Sequence, residues 1–481
     1  MQALNPYLPG WEYVPDGEPR LFGDRLYIYG SHDAFDGADF CVNDYVCWSA
    51  PADNLADWRY EGVIYRKDQD PKNPDGKKRM CAPDVVQGAD GRYYLYYEFA
   101  DLTITSVAVC DEPAGQYAFY GYVQKKDGTP YGSKKGEVNF FDPGVLVDDD
   151  GKVYMYTGFS PTPGFLKTVM GMRGLKIDAG YCVELESDMM TMVHDEPRLV
   201  IPGPEMAKGT SFAGHGFFEA SSPRKIRDTY YMIYSSELSH ELCYATSRYP
   251  DRDFVYGGTL VSIGDIGYQG RTKPDNYTGN THGGMVQVNG QWYIFYHRQT
   301  NKQKCCRQGC AERLMILKDG SIPQVEMTSC GLNDGPLMGT GTYEARIACN
   351  LYSAQGTFAY LKTREKDKKK LHPYFTQSGT DREDNPDQYI ANMKDGATAG
   401  FKYFDFRELK QISISARGTG SGRMEVRTAS SGAVLTSIAI KPSASWTTFH
   451  GAVTGDVSGT QALFFTYKGD EAVDFKEFTL N

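Results

Sequence analysis

The sequence predicts an all-β protein: a five-bladed β-propeller over residues 1–330, then a linker and a jelly-roll-like β-sandwich over 331–481. Three observations carry this expectation. A hairpin unit recurs five times in the first two thirds, short strands of period-two alternation fill the last third, and few segments show a helical period. With 35 Tyr, 24 Phe and 52 Gly in 481 residues, the chain is rich in strand-favouring aromatics and in turn residues. Its length exceeds one ordinary core, which agrees with more than one domain.

The recurring unit is a polar residue, a tight turn and an aromatic strand. Its copies are GEPRLFGDRLYIYGS (17–31), APDVVQGADGRYYLYY (82–97), FDPGVLVDDDGKVYMYTG (141–158), FEASSPRKIRDTYYMIYSS (218–236) and HGGMVQVNGQWYIFYHR (282–298). The turns Gly23-Asp24, Asp90-Gly91, Asp150-Gly151, Arg227-Asp228 and Asn289-Gly290 mostly carry residues that tolerate positive φ. A second hairpin-like segment follows each copy, from DYVCWSAPADNLADWRYEGVIY after the first to GCAERLMILKDGSIPQVEM after the fifth. Each unit therefore reads as a four-stranded blade, and blades repeated radially hide their edges around a central channel.

Innermost strands begin near that channel, so one residue per blade is carried to a common mouth: Glu18, Asp84, Asp142, Glu219 and His282. Four acids and one His drawn from distant segments form a constellation rather than a surface charge run. Paired carboxylates are the tools of glycoside hydrolysis. One must be kept protonated to donate to the leaving oxygen, and the other ionised to activate water or attack carbon.

In their order along the chain, an acid before Pro, APDV, FDP before DDDGKVY, a Glu before the fourth aromatic strand and a His before the fifth resemble glycoside hydrolase family 43. The resemblance implies an inverting propeller glycosidase acting on arabinose- or xylose-containing plant polysaccharides. It places Glu219 as general acid, Asp84 as the acid that orients Glu219 and tunes its pKa, and Glu18 as general base. The family pattern has Asp immediately before the Pro, whereas Glu18 is one methylene longer. Inverting sites hold their carboxyl groups ~6.5–9.5 Å apart, a margin able to absorb that length. Asp16, in VPDG, reads as a turn residue and stays the alternative for the base. His282 matches the family's channel His, which implies a calcium or sodium ion met through water.

Asp142 reads as a turn-capping Asp before Pro that lines the pocket. His215 and Phe217, just ahead of the acid, Arg298 at the end of the fifth aromatic strand, and His32 and Asp33 after the first are candidate sugar contacts. No organic cofactor is implied, since no phosphate-cradling Gly loop sits between a strand and a helix.

A formal net charge of -10 spread along the chain points away from nucleic acid. The run KTREKDKKK (362–370) reads as a solvated loop. Eleven scattered Cys, an odd number, read as reduced thiols, and Cys305, Cys306 and Cys310 lack the second ligand pair of a zinc ribbon. No apolar stretch reaches 18 residues and the N-terminus shows no leader pattern, so the expected location is the cytoplasm, or the periplasm or exterior if a leader has been trimmed.

From about residue 345 the phrases GFKYFDF, QISISARG, SWTTFHGAV and QALFFTYKG alternate with period two, as in a sandwich, and resemble a family 6 carbohydrate-binding module. Trp446, Tyr403 and Phe449 are the candidate sugar platforms. The expected function is that of an α-L-arabinofuranosidase or β-D-xylosidase. The alternatives are another propeller glycosidase, such as an arabinanase or galactosidase, and a glycan-binding propeller that does not cleave.

Overall fold

The computed structural model describes residues 2–100, 102–161, 174–357, 370–383 and 387–481. All but the last residue of KTREKDKKK lie outside them. Blade one is β1 (Glu18–Phe22), β2 (Arg25–Tyr29), β3 (Tyr45–Pro51) and β4 (Arg59–Tyr65), and blade two is β5 (Met80–Gln87), β6 (Tyr93–Phe99), β7 (Ser106–Cys110) and β8 (Ala118–Tyr122). Blade three is β9 (Gly144–Val147), β10 (Val153–Gly158), β11 (Ala179–Leu185) and β12 (Arg198–Pro202). Blade four is β13 (Phe217–Ile226), β14 (Thr229–Ser236), β15 (Glu241–Ser247) and β16 (Val255–Ser262). All four run as antiparallel meanders in chain order.

Blade five has three strands, not the expected four: β17 (Met285–Val288), β18 (Gln291–Gln299) and β19 (Arg307–Leu314). The segment expected to supply the fourth leaves the blade. The Val325 N–H donates to Leu260 O (2.8 Å) and the Ile322 N–H to Tyr244 Oη (2.9 Å), both in blade four, and Pro323 can give no ladder hydrogen bond. The turns behave as their residues require. Asn289 and Gly290 both take positive φ, 48° and 84°, the pair of values a two-residue hairpin needs to match strand twist.

Each interblade space holds its own apolar cluster. Leu26, Ile28 and Trp48 of blade one pack with Val286, Phe295 and Ala311 of blade five. Similar clusters lie between blades one and two, two and three, three and four, and four and five. A single blade cannot bury both faces, so the ring must close. A parallel bridge between Gly17 and Gly283 joins the first inner strand to the last blade, and neighbouring inner strands β1, β5, β9 and β13 pack side by side around the channel.

The C-terminal domain is a sandwich of two six-stranded sheets. One contains Leu337–Met338, Asn350–Tyr352, Thr398–Phe406, Gly422–Arg427, Thr436–Ile440 and Gly459–Gly469. The other contains Gly341–Glu344, Tyr374–Gln377, Gln388–Met393, Gln411–Gly418, Ser443–Ala452 and Val473–Leu480. Phe401, Phe465, Phe475 and Phe478 meet in its core. All eleven cysteines are unpaired. Among the described residues no helix is long and apolar enough to cross a membrane.

Candidate active site

A recurring backbone feature fixes how the inner strands align. Asp16 (φ 54°), Ala82 (φ 27°), Asp142 (φ 50°) and Ala220 (φ 71°) take left-handed conformations at the channel end of the first four. The Gly17–Gly283 bridge sets His282 beside Asp16. Because side chains of a strand repeat every second residue on one face, Asp16, Ala82, Asp142, Ala220 and His282 form one layer. Glu18, Asp84, Gly144, Ser222 and Gly284 form the next.

In the second layer two acids meet two arginines. Asp84 receives Arg20 in bidentate fashion, Nε at 2.9 Å and Nη2 at 2.5 Å, and also the Val145 N–H at 2.7 Å. Glu18 accepts from Arg224 Nη2 and from Ser222 Oγ (3.1 Å), with Arg20 at 3.7 Å. Burial by itself would raise the Glu18 pKa, but Arg224 and Arg20 hold it below the usual carboxylate range. The layer is tightly filled, since a Cβ on Gly284 would stand 2.6 Å from Glu18 Oε2. Bidentate pairing of this kind fixes geometry as well as charge.

The first layer is arranged differently. Asp16 is buried, accepts from Arg307 Nη1 at 2.8 Å and lies 3.2 Å from His297 Nδ1. Burial opposes its charge, yet Arg307, His297 and His282 together hold its carboxyl well below the ordinary range. Asp142 Oδ2 accepts the Ala220 N–H at 3.0 Å and lies 3.4 Å from His282 Nδ1. Its own N–H donates to buried Glu98 at 2.8 Å. His282, though buried, is raised to about 9 by Asp142 first and then by Asp16 and Glu18. Glu219, next to Ala220, is 9% exposed, and among the described residues its carboxyl has no hydrogen-bond partner. Burial and then the Asp142 charge push its pKa well above the carboxylate range. The site thus holds one carboxyl kept protonated and another kept ionised, the division of roles that acid–base chemistry needs.

Of the residues singled out from sequence, Glu219, Asp142 and His282 come together with Asp16. Glu18 and Asp84 lie one layer away, occupied by arginines, so Asp84 is not bonded to Glu219. Asp33 stands behind the site, accepting from Arg307 Nε (2.8 Å) and Nη2 (3.0 Å). His32 bonds Glu12 (3.0 Å) and the Asp44 carbonyl (2.8 Å). His215 Nδ1 lies 2.6 Å from Glu241, whose Oε1 is also 3.3 Å from Cys243 Sγ. These three form the one cluster with metal-ligand spacing among the described residues. Ser236 and Thr259 also hold Glu241 (2.6 and 3.0 Å), so its carboxylate is already satisfied.

Two contacts expected at the sugar point elsewhere. Phe217 is fully buried in the core between blades three and four, whereas its neighbour Phe218 meets Phe159 at a tilt (5.5 Å), which in turn meets Phe141 (4.8 Å) beside the two acids. Arg298 donates to the Ala348 and Arg346 carbonyls (2.6 and 2.5 Å) and covers the Phe375 ring at 4.0 Å, which pins the sandwich to the propeller. Its neighbour His297 faces Asp16. In the sandwich, Tyr403 bonds Glu326 at the domain junction (2.8 Å) and Phe449 packs against the core. Trp446 is half-buried, with Nε1 on Asp387 (3.1 Å) and the Arg417 guanidinium 4.2 Å over its ring. Arg307 and His297 were not legible as site residues. The nearest signal was His297 inside the FYHR strand end.

The family model for glycosyl hydrolases family 43 matches residues 12–322, and that for carbohydrate binding module family 6 matches residues 373–481. A xylosidase/arabinosidase of Thermoclostridium stercorarium is 50% identical over 487 residues, covering 100% of this chain and 99% of its own. A Bacillus subtilis family 43 arabinoxylan arabinofuranohydrolase, solved with cellotetraose, superposes over 99% of this chain and 97% of its own, at TM-score 0.51 and 20% identity. A family 43 β-xylosidase/α-arabinofuranosidase from a compost microbial metagenome, in complex with xylotriose and described as a calcium-free form, covers 67% of this chain and 97% of its own, at TM-score 0.51 and 24% identity. At these identities the two structures speak to the fold.

Proposed function

Because the chain belongs to glycosyl hydrolases family 43 and ends in a family 6 carbohydrate-binding module, we propose that Asp16, Asp142 and Glu219 carry out its hydrolysis of a glycosidic bond. The chain is a glycosidase of the xylosidase/arabinosidase kind, and in our reading it inverts the anomeric centre and releases arabinose or xylose. The observation that carries the residue assignment is the opposite surroundings of two buried carboxyls: Glu219 beside the Asp142 charge and without a hydrogen-bond partner among the described residues, Asp16 against Arg307 and His297.

In this mechanism Glu219 gives its proton to the glycosidic oxygen as the bond breaks. Asp16 draws a proton from the water that attacks the anomeric carbon from the opposite face. Asp142 keeps the proton on Glu219 by like charge, and protonated His282 balances Asp142. Asp16, rather than Glu18, is then the base, although Gly17 and not Pro follows it. Glu18 and Asp84 support the channel.

Aryl pentosides with leaving groups of graded acidity test this. Glu219→Ala should slow poor leaving groups by about 10²–10⁴-fold and good ones far less, while Asp16→Asn should slow both. Near-normal turnover by Asp16→Asn would overturn the assignment of the base.

The substrate is a poly- or oligosaccharide, and we place it among plant cell-wall xylans and arabinans. Product analysis on arabinoxylan checks that choice. The expected calcium or sodium ion would lie in the channel near His282, which would meet it only through water. Met through water, such an ion would also have buried Glu18 Oε2 within the channel as an acceptor for its hydration shell, an atom with no partner among the described residues. It would act as a structural charge, and a lower melting temperature after chelation would reveal it. Unpaired thiols throughout support a reducing compartment, which fractionation of the source cells would check.

A further inference from the structure

We propose that the loop Gly379–Glu383 of the C-terminal sandwich is part of the catalytic unit, with Asp381 a positioning residue that holds the propeller loop 33–43 and, through it, the Asp16–Arg307 pair. The inference rests on Asp16 being the base.

The loop 33–43 follows β2 and wraps Arg307. Asp33 takes two of the guanidinium nitrogens and also the Arg307 N–H (3.2 Å). Phe40 lies 4.7 Å from the guanidinium carbon, and the Cys41 N–H closes back on Asp33 Oδ1 at 2.9 Å. Two of the five guanidinium donors are thereby committed to Asp33, and the remaining Nη1 is aimed at Asp16. Wherever this loop goes, Arg307 goes with it.

The sandwich grips the loop at both ends. Asp381 Oδ1 accepts the Phe35 N–H at 2.6 Å, and Oδ2 accepts from Asn43 Nδ2 at 3.4 Å, while Asn43 also donates to the Asp33 carbonyl at 3.0 Å. Beside it Arg382 reaches Glu12 Oε1 (2.7 Å) and lies 5.2 Å from the Trp11 ring. Glu12 in turn holds His32, the residue before Asp33. Arg382 does so from a left-handed backbone, φ 55°, a conformation that non-glycine residues keep only where surrounding contacts determine it. A domain that merely tethered the enzyme to its substrate would have no need to brace the loop behind the base.

The pH profile distinguishes bracing from general stabilisation. Asp16 is faced by Arg307, His297 and His282, with Glu219 and Asp33 as the nearby acids. Of these only Arg307 and Asp33 depend on loop 33–43. If the loop loosens, Arg307 withdraws, protonation of Asp16 becomes easier, and the acid limb of kcat/KM moves to higher pH while the alkaline limb stays.

The experiment uses the full chain. Asp381→Ala should lower kcat on the order of tenfold with KM changed less than about twofold, and should raise the acid limb. Asp381→Asn, whose amide oxygen can still accept from Phe35, should restore most of kcat and the wild-type profile. If Asp381→Ala does not fold, Arg382→Gly, which suits the backbone at that position, should show the same profile change in smaller measure. A wild-type kcat and acid limb in the folded variant, or an Asp381→Asn as impaired as Asp381→Ala, overturns the proposal. An active Asp16→Asn would instead overturn the reading on which it rests.

Discussion

Asp16 and Glu18 leave the same stretch of chain two residues apart, one meeting Arg307 and two imidazoles, the other Arg224 and Arg20. Around Glu18 the charges close: two acids, Glu18 and Asp84, against two arginines. Around Asp16 they do not. Asp16, Asp33, Asp142 and Glu219 share Arg307 and His282, and the carboxyl left without a cation or a hydrogen bond, Glu219, keeps its proton. Both layers are buried and both are acidic, so burial and residue type do not separate support from chemistry. The balance of opposite charge within reach of each carboxyl does.

Exchanging the charge on each layer tests that comparison, beginning with the largest effect. Asp16→Asn should cost about 10²–10⁴-fold in kcat with little change in melting temperature, and Glu18→Gln should do the reverse. Loss of the Glu18 charge leaves buried Arg224 without its ion-pair partner, an expected cost of up to about 3–5 kcal/mol in urea unfolding, while folded enzyme keeps kcat within a few-fold. Equal activity losses for the two variants would erase the distinction between the layers.

The next effect is a shift rather than a loss. The negative charge of Asp142 raises the Glu219 pKa, so Asp142→Asn should lower it, and Glu219 then loses its proton at a lower pH. The alkaline limb of kcat/KM should therefore move to lower pH while the acid limb, set by Asp16, stays in place. Asp84→Asn, placed in the other layer, should move neither limb. Smallest is Phe218→Ala, which should raise KM by a few-fold, about 1 kcal/mol of lost aromatic contact, where Phe217→Ala should instead destabilise the core by about 3–5 kcal/mol.

The paired phenylalanines and the pair His297 and Arg298 show where sequence reading stopped. The turns, the five repeats and the alternating strands were legible because each depends on a few neighbouring residues: Asn289-Gly290 must turn, and RLYIY must extend. Which of two adjacent residues faces the acids of the channel was not legible, because strand parity is set by pairing with other strands. In both places the expected residue lies on the opposite face: Phe217 packs in the core while Phe218 meets Phe159, and Arg298 bonds the sandwich while His297 meets Asp16.

The register of the first layer needed the same information over longer range. Glu18 and Asp84 are equivalent to each other, as their common place ahead of an aromatic strand suggested, but Asp142 belongs two residues earlier in its blade. Only the left-handed residues and the Gly17–Gly283 bridge reveal that offset. The sequence by itself determined the class of fold and the family, since repeats, turns and alternating strands are local. The tertiary structure decided which acid is ionised, because Arg307 meets Asp16 across 291 residues of chain and a carboxyl's charge depends on partners that only folding brings near.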